Sequence, residues 1–429
     1  MTKSAKKIEK NEGVAATLLA QLMLPLAEIV RGDLRELVIA LGMRAVAAMI
    51  EEERTALCGP RYRHDPERRA TRGGTVPSEL TLGGRKIAAR RPRVVGPDGE
   101  IPLTTWQELA ATDPLGERAL EQMMIGVATR KYARSLEPLP PDLEERGTTR
   151  SSVSRRFVDV TMKQMREWME RPLGELDLKA IFVDGIHFSE HVILIALGVD
   201  ATGTKHVLGL WEGATENGAA CRALLSNLTT RGVKDDRALL FVIDGSQALR
   251  AAIRDVFGSR ALVQRCQVHK IRNVLSHLPD KKHDAVRAAM RQAYKSATKE
   301  TAKKQLENLA RTIAKAHPSA AASLREGLDE TLTVIELGLP NALTRSFSTT
   351  NPIESLNDRV RASTRRVKRW RGGEMILRWV AASVIEASRG FRRLKGHRDM
   401  PKLVAALAAH DARLDRQTKR LVDDVRQVA

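Results

Sequence analysis

Between residues 179 and 265 the chain alternates short apolar runs with amphipathic ones, and this alternation restricts its fold more than any other feature. Strand-like runs occupy Ala180–Phe188, Val192–Val199, Val207–Trp211, Leu239–Ile243 and Ala261–Val263. They are short and rich in β-branched residues, as buried strands are. Gly203 turns the second run into the third, which makes those two an antiparallel pair. Helical spacing appears at Gly218–Leu228 and Ser246–Val256. Three strands, helix, strand, helix, strand predicts a mixed sheet with helices packed on it.

The flanks read differently. Residues 14–57 carry apolar residues at helical spacing, stopped by Cys58-Gly59-Pro60. Residues 59–100 are rich in Arg and Gly. There Glu79–Leu82, Gly83-Gly84 and Lys86–Ala89 read as a β-hairpin with a Gly-Gly turn, and the nearby Arg72, Arg90, Arg91 and Arg93 suggest a DNA-contacting arm. Residues 115–170 suggest a helix-turn-helix: Leu115–Ile125, Thr129–Leu136, a break at Pro138–Pro141, and a helix opened by Thr148-Thr149-Arg150-Ser151-Ser152. From 266 to 340 the pattern is helical, through Val286–Ser296, Ala302–Ala314 and Ala320–Leu337. A strongly basic block over 361–398 holds a helix around Ile376–Arg389, and 401–429 reads as a polar helical tail.

The expected organisation is an N-terminal helical and basic hairpin region for DNA binding (1–114), then the helix-turn-helix (115–172). The first part of a core follows (173–275), then an all-α insertion (276–338), the second part of the core (339–398) and the tail (399–429). The class is α/β, mixed and helix-rich. The strand and helix order is that of an RNase H-like core, interrupted by the insertion.

Charge indicates the partner. The chain of 429 residues carries a formal net charge of +20, and its pI is about 10.2. Such an excess of cations favours a polyanion, above all nucleic acid. Aromatic residues make up 3%, too few for the stacking platforms that hold single strands. Double-stranded DNA, held by its phosphates and grooves, fits better. The cysteines Cys58, Cys221 and Cys266 are an odd, dispersed set rather than a disulfide framework, which points to a reducing cytoplasm. No apolar run is long enough to span a membrane, and no signal-peptide pattern follows the basic N-terminus.

Three carboxylates stand out. Asp184 closes the apolar run Ile181-Phe182-Val183, and Asp244 closes Leu240-Phe241-Val242-Ile243. Glu354 lies in Asn351-Pro352-Ile353-Glu354-Ser355-Leu356-Asn357, a helix start. Each has an ordinary explanation. Asp184-Gly185 is a common turn signal. Asp244 precedes Ser246, a good helix N-cap. Glu354 completes a capping box with Asn351 as N-cap and Pro352 at N1. Together, two strand-end aspartates and a helix-borne glutamate can hold two Mg²⁺ ions roughly 3.5–4 Å apart, one oxygen donor set for each side of a phosphodiester exchange. Asn357, Asp358 and Arg361 share the helix face of Glu354.

Two further motifs are more specific: Gln264-Arg265-Cys266-Gln267-Val268-His269-Lys270 and Thr349-Thr350-Asn351-Pro352-Ile353-Glu354-Ser355-Leu356-Asn357. With the two Asp-Gly strand ends, they resemble a Mutator-type transposase of the bacterial insertion-sequence-256 family over about residues 30–395. The resemblance implies an Asp-Asp-Glu active site with Asp184, Asp244 and Glu354 as catalytic residues and ligands of two Mg²⁺ ions, for which Mn²⁺ could substitute. It also implies binding of a mobile element's terminal inverted repeats, cleavage and strand transfer into target DNA, at least a homodimer on DNA, and a nucleoid-associated protein of the bacterial cytoplasm. Cys266 and His269 form the family's Cys-x-x-His signature. Lacking a second ligand pair, they read as site-shaping rather than as zinc ligands. Arg150, Ser152 and Arg155 at the helix start, and Arg361, Arg365, Lys368 and Arg369 in the basic block, are the expected DNA contacts. Trp370 reads equally as a base-stacking residue or a core plug. An RNase H-like structure-selective nuclease or resolvase is the alternative enzyme, and a metal-independent DNA-binding regulator the alternative without chemistry.

Overall fold

Gly83 and Gly84 both hold positive φ, +59° and +81°, the geometry a two-residue hairpin turn demands. They join β1 (Thr71–Leu82) to β2 (Arg85–Gly96), paired antiparallel from Leu82↔Arg85 outward. The hairpin is thus longer than the sequence pattern suggested. The computed structural model describes residues 34–63, 65–111, 114–140, 143–213 and 217–428. The chain divides into two units, Met1–Met162 and Lys163–Ala429. The helical pattern expected over residues 14–33 lies outside the described residues.

In the first unit, α1 (Leu34–Cys58) packs on the hairpin, which β3 (Gly99–Ile101) and β4 (Glu145–Arg146) extend by pairing with β2. Ile50, Leu80, Val94, Leu103 and Trp106 form their shared core, which includes α2 (Thr104–Ala111). Several arginines of the expected arm are engaged internally. Arg72 lies 2.6 Å from Glu51, and Arg91 and Arg93 lie 2.6 and 2.7 Å from Glu100. After α3 (Pro114–Met124), the segment expected as a helix over Thr129–Leu136 is instead two 3-10 turns, Thr129–Lys131 and Ala133–Ser135. Tyr132 separates them. It is fully buried, and its hydroxyl donates to the Gly84 carbonyl at 2.8 Å. That tertiary anchor outweighs local helical preference. The helix expected next does form, as α4 (Arg150–Glu170), with the Thr149 hydroxyl accepting from the Ser152 N–H.

The second unit holds β5 (Leu178–Phe188), β6 (His191–Asp200), β7 (Lys205–Gly213), α5 (Gly218–Thr230), β8 (Leu239–Ile243), α6 (Gln247–Phe257) and β9 (Ala261–Arg265). The sheet order is β7-β6-β5-β8-β9. β5, β6 and β7 pair antiparallel, and β8 and β9 add parallel to β5. The element order read from the sequence is thus the observed one. Strands covered on both faces need apolar side chains at successive positions, so they read as continuous runs. Ile181 and Val183 face a core with Leu224, Leu249 and Ile253 of α5 and α6. Ala180, Phe182, Leu240 and Val242 face the opposite core.

Among the described residues, every regular element after β9 is a helix. α7 (Gln267–Leu275), α8 (His283–Ala293), α9 (Lys299–Ala314), α10 (Pro318–Arg325) and α11 (Thr333–Glu336) share a core of their own around Met290, Leu306, Leu324 and Leu332. The single helix expected over Ala320–Leu337 is broken at Gly327, which holds φ +59°. α12 (Asn341–Phe347), α13 (Asn351–Thr364), α14 (Gly373–Arg389) and α15 (Met400–Val428) follow. Ile353, Leu356 and Val360 of α13 and Val380 and Val384 of α14 pack on the sheet face presented by Phe182 and Val242. No helix of the described residues is long and apolar enough to cross a membrane.

Candidate active site

Side chains alternate between sheet faces with period two. Asp184 therefore follows Ala180 and Phe182 onto the face that α13 covers, and Asp244 follows Leu240 and Val242 onto the same face. The last parallel pair is Phe182↔Val242, so each aspartate stands two residues beyond it, level on neighbouring strands. Asp244 ends its strand, as expected. Asp184 does not. It lies inside β5, paired with Ile195 of β6, and Asp184-Gly185 forms no turn. The parallel neighbour stops while the antiparallel one continues, so Asp184 has a strand partner on one side only.

Local bonds orient the aspartates. Asp244 Oδ1 accepts from the Ser246 N–H at 3.0 Å, and the Ser246 hydroxyl caps α6 by accepting from Leu249. The capping reading of this segment is therefore correct and leaves Asp244 at the C-terminal end of β8. Asp184 Oδ2 accepts a 2.7 Å hydrogen bond from Asn357 Nδ2 on α13.

The expected capping box at Glu354 does not form. The N-cap is Thr350, one residue earlier than Asn351, which moves Glu354 out of the N3 position. Its carboxylate instead accepts from the Thr350 hydroxyl at 2.5 Å, while its backbone N–H donates to the Thr350 carbonyl. Thr350 is fully buried. Its hydroxyl also lies 3.4 Å from Cys266 Sγ and 3.4 Å from His269 Nδ1. His269 Nε2 is 3.7 Å from Glu354 Oε1. One donor atom from each of Cys266, His269 and Glu354 lies within 4.8 Å of the others. This is three ligands where a closed zinc site wants four, with the Thr350 hydroxyl giving its one proton to Glu354 and lying 3.4 Å from each of the other two.

The motif around Cys266 divides its work. The buried Gln264 and Gln267 amides donate to the Thr331 carbonyl at 3.0 and 2.9 Å, and Gln264 accepts from the Val334 N–H. Arg265 pairs with Glu326 at 2.8 Å, and Lys270 pairs with it at 3.2 Å while donating to the Ser323 carbonyl. Four of the seven motif residues thus fasten the helical segment 323–334 to the end of β9, while Cys266 and His269 reach the Glu354 side.

The charges are coupled. Burial pushes Asp184 up to about 6, the Asp244 charge pushes the same way, a backbone hydrogen bond at Gly185 and the His269 charge oppose, and Glu354 adds a smaller upward push. His269 is raised by its hydrogen bond to Cys266, against burial and with help from the charges of Cys266, Glu354 and Asp244. Burial raises the Cys266 thiol, yet hydrogen bonds from His269 and Thr350 outweigh it and leave the thiol lowered. Asp244 and Glu354 thus both act electrostatically on Asp184, whereas the ligand atoms that lie within 4.8 Å of one another among the described residues are those of Cys266, His269 and Glu354.

The sequence pattern of the family described as "Transposase, Mutator family" matches residues 17–393. The chain belongs to that family. Its relatives include the transposase for insertion sequence element ISRM5 of Rhizobium meliloti (strain 1021), 28% identical over 382 residues, covering 86% of this chain and 91% of the relative. The transposase for element IS406 of Burkholderia multivorans is 29% identical over 346 residues, 78% of this chain and 86% of the relative. The transposase for IS256 in transposon Tn4001 of Staphylococcus aureus is 25% identical over 329 residues, 73% and 80%.

Within this transposase the remaining sequence candidates are scattered. Arg150 and Arg155 are exposed at the start of α4, and Ser152 is engaged with the Thr149 hydroxyl at 2.9 Å. Arg361 is exposed and pairs with Asp358 at 3.1 Å rather than with Glu354. Arg365, Lys368 and Arg369 are exposed after α13. Trp370 packs edge-on against Phe188, centroids 5.2 Å apart, and joins the core, so the plug reading is the one observed. Thr350 was missed because a threonine before Asn-Pro carries no chemical signal in a sequence. Asn357 was visible only as a face neighbour of Glu354.

Proposed function

We propose that this chain is a DNA transposase of an insertion sequence, using Asp184, Asp244 and Glu354 to hold two Mg²⁺ ions for DNA cleavage and strand transfer, with Mn²⁺ as a substitute. The observation that carries the reading is the convergence on one sheet face. Asp184 and Asp244 stand level on neighbouring parallel strands, and the helix bearing Glu354 bonds to Asp184 through Asn357. The strand order β7-β6-β5-β8-β9, with two antiparallel and two parallel junctions beside β5 and β8, supports an RNase H-like core. The separate hydrophobic core of α7–α11 supports reading that segment as an all-α insertion.

Bound between these carboxylates, the two ions would activate the attacking oxygen and stabilise the leaving one. The protein's own residues do the positioning. Asn357 fixes one oxygen of Asp184, Ser246 fixes one oxygen of Asp244, and Thr350 fixes one oxygen of Glu354. The nucleophile is a water or a DNA 3′-hydroxyl, so none is needed from a side chain. The net charge of +20 and the helix start at Arg150, Ser152 and Arg155 support binding of terminal inverted repeats, with a homodimer or larger assembly bridging two ends.

The test uses the element's end sequences and a target duplex. Asp184→Ala, Asp244→Ala and Glu354→Ala should each abolish Mg²⁺-dependent strand transfer and leave inverted-repeat binding largely intact. Free ends without joined products in the unmodified protein would replace transposition with hydrolysis by a nuclease or resolvase. Full activity in any one variant would remove that residue from the active site.

A further inference from the structure

Two surface pockets of about 860 and 560 Å³ meet at Arg345 and Thr349 and form one trough on the second unit. Six cations line it. Lys205, Arg345, Arg393 and Lys395 surround the larger pocket, and Arg291 and Lys295 join Arg345 around the smaller. Among the described residues, no carboxylate lines either pocket. Five of the six side chains are exposed, and Lys205, the partly buried one, stacks on the Phe391 ring at 5.0 Å. This contrasts with the first unit, where Arg72, Arg91 and Arg93 all have carboxylate partners. Like charges gathered along one trough repel unless an anion lies between them.

The trough borders the carboxylate site. Asn351, Pro352 and Ser355 line one side, so the first turn of the helix bearing Glu354 opens into it. That turn adds the positive end of the helix dipole. Gln267 and Val268, the residues between Cys266 and His269, line the other side. At the junction, the Thr349 hydroxyl is buried without a hydrogen-bond partner.

We propose that this trough is a DNA path: the phosphate backbone of the strand next to the reacting phosphodiester lies along it, held by Arg345 at the centre, Lys205, Arg393 and Lys395 on one side, and Arg291 and Lys295 on the other. The proposal rests on the transposase reading above. None of the six residues was a DNA-binding candidate from the sequence, because they come from separate segments that only the fold brings together.

The test measures binding of the full-length protein to a mixed-sequence DNA duplex over a range of salt. The variant Arg345→Ala/Arg393→Ala/Lys395→Ala should bind at least tenfold more weakly at moderate salt, and its slope of log affinity against log salt should fall by about 3, one phosphate contact per removed charge. Arg345→Lys should lose much less. Cys58, Cys221 and Cys266 are all buried, so Asn341→Cys at the lip of the smaller pocket offers an accessible thiol. It should cross-link to DNA carrying a mixed-disulfide tether on its backbone, the cysteine thiolate displacing the tether's small-thiol leaving group by exchange. A folded triple variant with unchanged affinity and slope overturns the proposal. So does an absent cross-link, or a variant that changes self-association and leaves DNA affinity intact. Thermal stabilisation by Mg²⁺, read on the same proteins, reports the carboxylate site separately. Its absence in the unmodified protein would count against the metal reading, whereas the salt slope judges the trough alone.

Discussion

Asn357 and Asp184, 173 residues apart, share a 2.7 Å hydrogen bond. It links α13, which carries Glu354, to β5, which carries the first aspartate, and so adds a polar tie to the apolar packing of α13 on the sheet. Asn357 is almost fully buried and touches no solvent-borne substrate, so it acts through Asp184. Residues that orient a metal ligand typically contribute 10–100-fold to metal affinity or activity. Asn357→Ala should therefore reduce strand transfer about 10–100-fold, with part of the loss recovered at high Mg²⁺. Rate measurements across a Mg²⁺ titration check this, and an unchanged rate at limiting Mg²⁺ would sink it.

Asp184 gives a pH prediction. Its folded value, about 6, lies above the ordinary 3.8, so folding favours the protonated form. The contribution of Asp184 to metal-free stability is then greatest below pH about 4, declines between about 4 and 6, and is flat above, by at most about 3 kcal/mol. Asp184→Asn should raise the metal-free melting temperature at neutral pH and abolish the rise that Mg²⁺ produces in the parent. Calorimetry with and without Mg²⁺ reads both. A variant that melts lower than the parent without metal would contradict the electrostatic account.

Glu326 has the opposite sign. Burial raises it, but hydrogen bonds and charge from Arg265 and then Lys270 prevail and hold it down to about 2. Its contribution is present above the ordinary value of 4.5 and is lost as pH falls from there toward 2. Because the side chain is 42% exposed, solvent screening keeps the effect modest. Glu326→Gln should lower the melting temperature at pH 7 and flatten the fall between pH 4.5 and 2. Parallel melting curves against pH, with no difference between the two proteins, would refute it.

What could be read in advance follows from which interactions are local. β5, β6 and β8 announced themselves because burial on both faces demands unbroken apolar runs, and the Gly83-Gly84 turn because only glycine takes two successive positive φ values without strain. Asp184 was placed at a strand end because its run changes polarity there, whereas the strand continues on its antiparallel side to Phe188. The break at Gly327, the 3-10 turns around Tyr132 and the shift of the N-cap to Thr350 all depend on partners 48 to 84 residues distant. No periodicity encodes such contacts. The six-cation trough was illegible for the same reason, since its residues reach one surface only through the packing of β7, α8, α12 and the segment after α14.

Gly327 offers a direct test of how the helical segment is fastened to β9. It holds φ +59°, and a Cβ there would lie 1.9 Å from Arg265 Nη1. Arg265 is the buried guanidinium that pairs with Glu326 and donates to the Gly245 carbonyl. Gly338 holds nearly the same φ, +60°, with nothing within 4 Å of a Cβ. Gly338→Ala should therefore show the backbone term alone, about 1–2 kcal/mol. Gly327→Ala should lose that plus the displaced Arg265 contacts, the half-exposed pair with Glu326 and the hydrogen bond to Gly245, for a total of about 2–4 kcal/mol. Denaturant unfolding of both variants gives the difference. Equal losses would mean that Arg265 yields without cost and that the motif's four clamping residues do not hold 323–334 in place through this contact.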